Sequence, residues 1–259
     1  MNDIAYARYI MTATITLSTS KWRPLCPFLA PSIVGKILPI KLSTKRRSFT
    51  SQTSRLRDGI TPGSRRPARP LSAEESAYIS SALRVNHAGE LAATRIYTAQ
   101  TPVIVKAYPH LRNLLKHMHD QEAGHFRTFN HLLAKHHIRP TAMYPLWKLA
   151  SSALGWGTAM MGREAAMACT EAVETEIGDH YNNQVRVILK MVRERELANE
   201  EVDEDLRGLL DTVRKIRDEE LEHLDHAVEN DAKLAKPYQA LTSVIRLGCR
   251  AAIKVSEKI

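Results

Sequence analysis

Residues 115–129 read Leu115-Lys-His-Met-His-Asp-Gln-Glu-Ala-Gly-His-Phe-Arg-Thr-Phe129, and residues 213–227 answer them with Val213-Arg-Lys-Ile-Arg-Asp-Glu-Glu-Leu-Glu-His-Leu-Asp-His-Ala227. Both carry Asp-x-Glu-x-x-His: Asp120, Glu122 and His125 in the first, Asp218, Glu220 and His223 in the second. A chain of this composition produces about one Glu-x-x-His pair by chance, so spacing alone decides little. The helical faces decide more. Around Glu122 lie Leu115, Met118, Phe126 and Phe129, and around Glu220 lie Val213, Ile216, Leu224 and Ala227, so each pair projects from an apolar stripe into a core. A buried carboxylate without a partner costs several kcal/mol, about as much as a small domain can spare, so such an interior needs cations or protons.

Working outward, each of these helices follows another with a Glu on an apolar stripe. On the first it is Glu90, stacked with Leu83, His87 and Tyr97. On the other there are three choices, Glu171, Glu174 and Glu176. Glu174 shares its face with Met167, Ile177, Tyr181, Val185 and Ile188, whereas the faces of the other two turn polar sooner, so Glu174 is selected. The expected set is Glu90, Glu122, His125, Glu174, Glu220 and His223: a Glu from each of two helices and Glu-x-x-His from each of two more. That is the ligand pattern of ferritin-like di-iron carboxylate bundles. Carboxylates with one imidazole per metal suit Fe or Mn and leave positions free for O₂, and the absence of thiolates argues against structural zinc. Asp120 and Asp218 are expected to accept a hydrogen bond, each from the His of the opposing helix.

The rest of the chain from residue 73 reads as helices too, with apolar residues returning at spacings of three and four. Ser72-Ala-Glu-Glu75 is a capping box opening a first helix to about Gln100. Pro109 sits in the first turn of a second, to about His136, which Arg139-Pro140 stops. An apolar stretch 140–162 follows, then a third helix to about Arg193, an acidic connection Glu194–Asp205, a fourth helix from about Leu206 to Leu234, and a last one after Pro237. The fold expected is all-α: a ferritin-like four-helix bundle with two additional amphipathic or interfacial helices.

Net charge is +9 over 259 residues, but residues 1–72 hold 13 Lys/Arg, 17 Ser/Thr and only Asp3 and Asp58 as acids. The remaining 24 basic and 26 acidic residues nearly cancel, which excludes a nucleic-acid-binding field over the core. Residues 1–72 therefore read as a mitochondrial transit peptide and its unstructured continuation, with cleavage expected near 49–50, after Arg47-Ser-Phe. Residues 73–259 are expected to form the ferritin-like domain. Three scattered cysteines (Cys26, Cys169, Cys249) exclude a disulfide framework.

Beyond the metal pattern, Arg84-Val-Asn-His-Ala-Gly-Glu90, Asp120-Gln-Glu-Ala-Gly-His125, Arg139-Pro-Thr-Ala-Met-Tyr-Pro-Leu-Trp147, Ala168-Cys-Thr-Glu-Ala-Val-Glu174, Asp179-His-Tyr-Asn-Asn183 and Arg217-Asp-Glu-Glu-Leu-Glu-His223 resemble the demethoxyubiquinone hydroxylases, the mitochondrial di-iron monooxygenases of ubiquinone biosynthesis. The likeness runs from about 79 to 259. Asn86 stands where the family usually has Asp. The resemblance implies hydroxylation of a demethoxyubiquinone with a polyprenyl tail, using O₂, two iron ions on the same six residues, and NADH as electron donor. It also implies His180 and Tyr181 as carriers of electrons or protons, a peripheral position on the matrix side of the mitochondrial inner membrane, and contacts with other ubiquinone-biosynthesis proteins including a lipid-binding partner, with a homo-oligomer allowed. No Gly-x-Gly-x-x-Gly is present, so any NADH binds without a Rossmann domain.

A polyprenyl quinone demands access from a bilayer. Segment 140–162, with Trp147, Trp156, Met160 and Met161 and only Lys148 and no acid between its prolines and Gly162, is too interrupted to span but suited to an interface. In the last helix Arg246, Arg250, Lys254 and Lys258 form an i, i+4 basic ridge beside apolar residues. Two rival functions keep the same ligands: a membrane-associated quinol oxidase, which sends both oxygen atoms to water, and a non-catalytic iron-binding or ferroxidase bundle, against which the apolar segment weighs.

Overall fold

The computed structural model describes residues 65–259. Its helices, in chain order, are α1 (Ala73–Ala107), α2 (Arg112–Lys135), α3 (Tyr144–Met160), α4 (Arg163–Leu197), α5 (Glu204–Glu229) and α6 (Tyr238–Ser256), with short 3₁₀ turns at Pro109–Leu111 and Ala232–Leu234. The hairpin α1–α2 and the hairpin α4–α5 make the bundle; α3 crosses between them against α1, and α6 returns against α4. One long crossover between two hairpins is the ferritin-like connectivity, as the sequence leads one to expect.

α1 begins where its capping box places it. Glu75 N–H donates to Ser72 Oγ at 3.1 Å and Ser72 N–H to Glu75 Oε2 at 2.8 Å. The helix does not stop at Gln100 but continues through Pro102 to Ala107. A mid-helix proline costs about 3 kcal/mol. Burial of Ile104 and Val105 just beyond it offsets that, at about 1.5–3 kcal/mol each.

α4 likewise overruns its expected end at Arg193 and reaches Leu197. Arg195, 1% exposed, lies on its inner face and pairs with Glu75 through two contacts of 2.9 Å. The stretch Glu194–Asp205 is thus part helix and part connection, and α5 starts at Glu204 and ends at Glu229 rather than at Leu234. Residues of the segment assigned to the leader also have a place here: Arg66 exchanges backbone hydrogen bonds with Asn199 and Glu201, and Arg69 pairs with Glu75 at 2.9 Å. Residues 1–64 of the expected leader segment 1–72, with its cleavage site, lie outside the described residues.

α3 packs tightly on α1. At Gly155 an added Cβ would stand 2.5 Å from the carbonyl oxygen of Ile96, so only glycine fits. Its opposite face presents Leu149, Trp156 and Met160 to solvent, at 69, 58 and 61% exposure. α6 adds exposed Val244 and Leu247, and Trp147 Nε1–H ties the two helices by donating to Ser256 Oγ at 3.0 Å. No helix among the described residues is long and apolar enough to cross a membrane. The basic ridge of α6 is not wholly free: Arg246 and Arg250 both donate to Oε1 of the buried Glu176, at 2.6 and 2.9 Å. Half of the expected lipid-facing ridge therefore neutralises a buried carboxylate.

Candidate metal centre

The two Glu-x-x-His pairs face each other across the bundle from α2 and α5, with Glu90 from α1 and Glu174 from α4 closing the ring. All six side chains are buried. Their donor atoms form two groups, Glu90–Glu122–His125–Glu220 and Glu122–Glu174–Glu220–His223, each with donor atoms within 4.8 Å of one another. Glu122 and Glu220 belong to both groups. The other two glutamates of α4 go elsewhere: Glu171 to Lys233 and Tyr238, Glu176 to the arginines of α6. Why Glu174 is singled out is thus visible in the packing.

The histidines are oriented from outside. His125 Nε2 lies 2.8 Å from Glu219 Oε2, and His223 Nε2 lies 3.0 Å from Gln121 Oε1. Both partners are acceptors, so each Nε2 carries the proton and each Nδ1 points inward. His125 Nδ1 stands 3.0 Å from Glu220 and 3.4 Å from Glu90; His223 Nδ1 stands 2.9 Å from Glu122 and 3.2 Å from Glu220. These contacts are close without being aligned as hydrogen bonds: both Nδ1 atoms, both oxygens of Glu122 and both of Glu220 lack one. Buried polar atoms seldom go unpaired, and here they converge.

The expected roles of Asp120 and Asp218 are not met. Both side chains are exposed, Asp120 engaged by Lys116 and His119 and Asp218 by Arg217. The residue one step along takes the role in each case, because a turn of 100° per residue carries Gln121 and Glu219 toward the α2–α5 seam and leaves the aspartates outside. The signal lay in the sequence, since Gln121 and Glu219 stand alike immediately before Glu122 and Glu220.

Burial drives the electrostatics. Desolvation, then the neighbouring carboxylates, pushes the Glu90, Glu122 and Glu174 carboxyls above the ordinary range. Glu220 goes the other way: burial would raise it, but the two imidazoles facing it hold it low. Burial lowers His125, yet the carboxylates of Glu220 and Glu90 outweigh that and lift it to about 12. The cluster therefore seeks positive charge. With the inward imidazole nitrogens deprotonated, as metal binding requires, four carboxylates and two neutral imidazoles would match the charge of two divalent ions, so the residues present fit a di-metal site.

Tyr181 is brought to the centre and His180 is not. The buried Tyr181 hydroxyl donates to Glu90 Oε1. His180, one residue away, faces Gln184, whose Nε2 lies 2.6 Å from its ring Nε2, and Gln184 is doubly hydrogen-bonded to Asn86 at 2.8 and 2.6 Å. Asn86 thus sits in an amide pair. Burial drives His180 down to about 4, so its ring is neutral. A cavity of about 320 Å³ runs between α1, α3, α4 and α6, lined by Gly89 and Val173 beside two of the glutamates, and by Val244, which is 70% exposed. It therefore reaches the surface at α6.

Residues 77–256 match the model of the family described as ubiquinone biosynthesis protein COQ7. The chain belongs to the COQ7 family. It is 45% identical over 190 residues to the 5-demethoxyubiquinone hydroxylase, mitochondrial, of Saccharomyces cerevisiae, covering 73% of this chain and 82% of the yeast protein. It is 44% identical over 177 residues to the human NADPH-dependent 3-demethoxyubiquinone 3-hydroxylase, mitochondrial, covering 68 and 76%. To the 3-demethoxyubiquinol 3-hydroxylase of Rhodospirillum rubrum it is 40% identical over 184 residues, covering 71 and 80%. These COQ7 relatives bear out the resemblance read from the sequence motifs and the expectation of an enzyme of the monooxygenase class.

Proposed function

We propose that the chain hydroxylates the ring of a demethoxyubiquinone, with two iron ions held by Glu90, Glu122, His125, Glu174, Glu220 and His223, on the matrix side of the mitochondrial inner membrane. The observation that carries this reading is a carboxylate–imidazole ring with two shared glutamates, set beside an apolar cavity that opens at the surface. Iron bound there supplies the activation of O₂ from which one atom enters the ring. The protein's own part is positioning and protection. Ala88, Ile96, Leu154 and Ile245 along the cavity accept a polyprenyl chain and exclude water, which orients the ring toward Glu90 and Glu174. Tyr181 holds a proton at Glu90 Oε1, and His180, through Gln184 and Asn86, braces α4 against α1.

The exposed apolar faces of α3 and α6 support a peripheral seat on the bilayer, from which the substrate enters beside Val244. Such a surface is also where a lipid-binding partner among the ubiquinone-biosynthesis proteins, or a second copy of the chain, would meet it. Reducing equivalents come from a nicotinamide nucleotide: the resemblance implies NADH, while the human relative is named for NADPH, and both belong in the assay.

The test is incorporation. Protein given a demethoxyquinone analogue, ¹⁸O₂ and either nicotinamide yields a hydroxylated quinone carrying one ¹⁸O, and Glu90→Ala abolishes it. Quinol oxidation with no label in the organic product would establish the quinol-oxidase alternative, and iron uptake without quinone turnover the storage alternative.

A further inference from the structure

On the outer side of the same two helices a second, independent donor group comes together: His117 of α2 with Glu222 and His226 of α5, donor atoms within 4.8 Å of one another. None of the three belongs to the buried ring. Glu222 and His226 stand four residues apart, one helical turn, on the exposed face of α5, and Glu222 Oε1 lies 3.5 Å from His226 Nε2. His117 supplies the third donor from across the seam, its ring edge-on to His226 at a centroid distance of 6.5 Å. Glu229 Oε2, 3.7 Å from His226 Nδ1, adds a carboxylate at the rim.

We propose that His117, Glu222 and His226 form a surface site for a late first-row divalent ion, zinc above all, that clamps α2 to α5 from outside. Two imidazoles and one carboxylate, with a fourth position left to water, are a zinc donor set, and imidazole favours Zn over the Mg and Ca that take all-oxygen sites. Tetrahedral bonds of about 2 Å put donors roughly 3.3 Å apart. Closing from 4.8 Å needs only side-chain rotation, which exposed His117 and Glu222 can make without moving backbone. The position gives the ion an effect. α2 and α5 pack mainly on α1 and α4 and touch one another little, so a cross-link between them adds to a sparse seam. The clamp shares their outer ridges with the residues that orient the ligating imidazoles, His117 one turn before Gln121 and Glu222 one turn after Glu219.

The experiment loads tag-free protein with iron, adds Zn²⁺, removes free metal by gel filtration and measures both metals per chain. About one zinc is taken up with iron retained, and the melting temperature rises. His117→Ala and Glu222→Ala each lose the zinc and the rise while keeping iron and helical content, and Glu174→Ala, which alters the buried ring, keeps the zinc. The proposal is overturned if no zinc binds beyond the iron, if zinc enters only as iron leaves, or if both surface variants bind zinc as the parent does.

Discussion

Glu219 stands behind His125 through a carboxylate oxygen, Oε2 to Nε2 at 2.8 Å, whereas the corresponding atom behind His223 is the amide oxygen of Gln121 at 3.0 Å. The two imidazoles are therefore unequal. A carboxylate on the far nitrogen makes the near one a stronger donor, and loss of such a partner typically weakens a metal about 10- to 100-fold. Glu219→Gln is expected to lower iron retention against a competing chelator within that range, preferentially for one of the two ions, while Gln121→Ala costs less. Equal retention by Glu219→Gln and the parent would remove the inequality.

Far from the centre, Arg195 is a nearly fully buried cation whose charge is met by Glu75, itself gripped also by Arg69. Hydrogen bonds from Arg195 and Arg69, against the opposing effect of burial, hold the Glu75 carboxyl well below its ordinary value of 4.5. A carboxyl depressed on folding stabilises fully above its unfolded pKa and loses that contribution as pH falls toward the folded one. Glu75→Gln is therefore expected to flatten the decline in stability below about pH 4.5. Glu75→Ala, which leaves Arg195 buried and unpaired, should cost about 3–5 kcal/mol in denaturant unfolding at neutral pH. Parallel acid curves for Glu75→Gln and the parent would refute the assignment.

The same pair shows where sequence was enough and where it was not. The inward stripes of α2 and α5 and the choice of Glu174 were legible because burial repeats with the helical period. The end of α4 was not, since Arg195 sits among charged residues, and only its distant partner Glu75, brought close by tertiary packing, makes it a core residue. Periodicity likewise could not separate Asp120 from Gln121. One residue is a 100° turn, and the side that turn favours depends on the facing helix. Nor could local pattern foresee α1 passing Pro102, because the residues that stabilise its last turn are buried by other helices.

Gly155 and Gly157 offer a controlled comparison two residues apart on α3. A methyl at 155 meets the Ile96 carbonyl oxygen at 2.5 Å, a backbone atom that cannot step aside, while a methyl at 157 meets nothing within 4 Å. Gly155→Ala is expected to destabilise by about 1–3 kcal/mol through displacement of α3. Gly157→Ala should be neutral or stabilising by up to about 1 kcal/mol, since the helix gains a better former. Calorimetric melting of the two variants decides it, and equal melting temperatures would mean that α3 does not lie so close.

Membrane attachment should depend on the apolar face of α3 more than on the arginines of α6. Among the described residues Leu149, Trp156 and Met160 are largely exposed, whereas Arg246 and Arg250 are engaged by Glu176 and Lys254 and Lys258 are in no ion pair. Leu149→Glu with Trp156→Glu is expected to weaken co-sedimentation with vesicles of inner-membrane composition at least about tenfold. Reversing Lys254 and Lys258 should weaken it less and mainly at low salt. Retained binding by the double Glu variant would place the contact elsewhere.

Tyr181 and His180 are adjacent in the chain but differ in what they can do. The Tyr181 hydroxyl is kept protonated by burial, with the surrounding carboxylates acting in the same direction, and it donates to Glu90. His180 is neutral and turned to Gln184, which is itself paired with Asn86. Tyr181→Phe preserves the packing of its ring on Phe129, at 6.3 Å between centroids, and removes only the donor. It is expected to keep iron occupancy and helical content and to lower quinone hydroxylation at least about tenfold, a loss of about 1.4 kcal/mol in transition-state stabilisation. His180→Ala should disturb the Gln184 contact and thermal stability while changing the rate of chemically reduced protein less than about threefold. Turnover by Tyr181→Phe at the parent's rate, or a fall that merely tracks lost iron, would take the proton-holding role away from Tyr181. A larger loss of rate in His180→Ala than in Tyr181→Phe would return that role to the histidine.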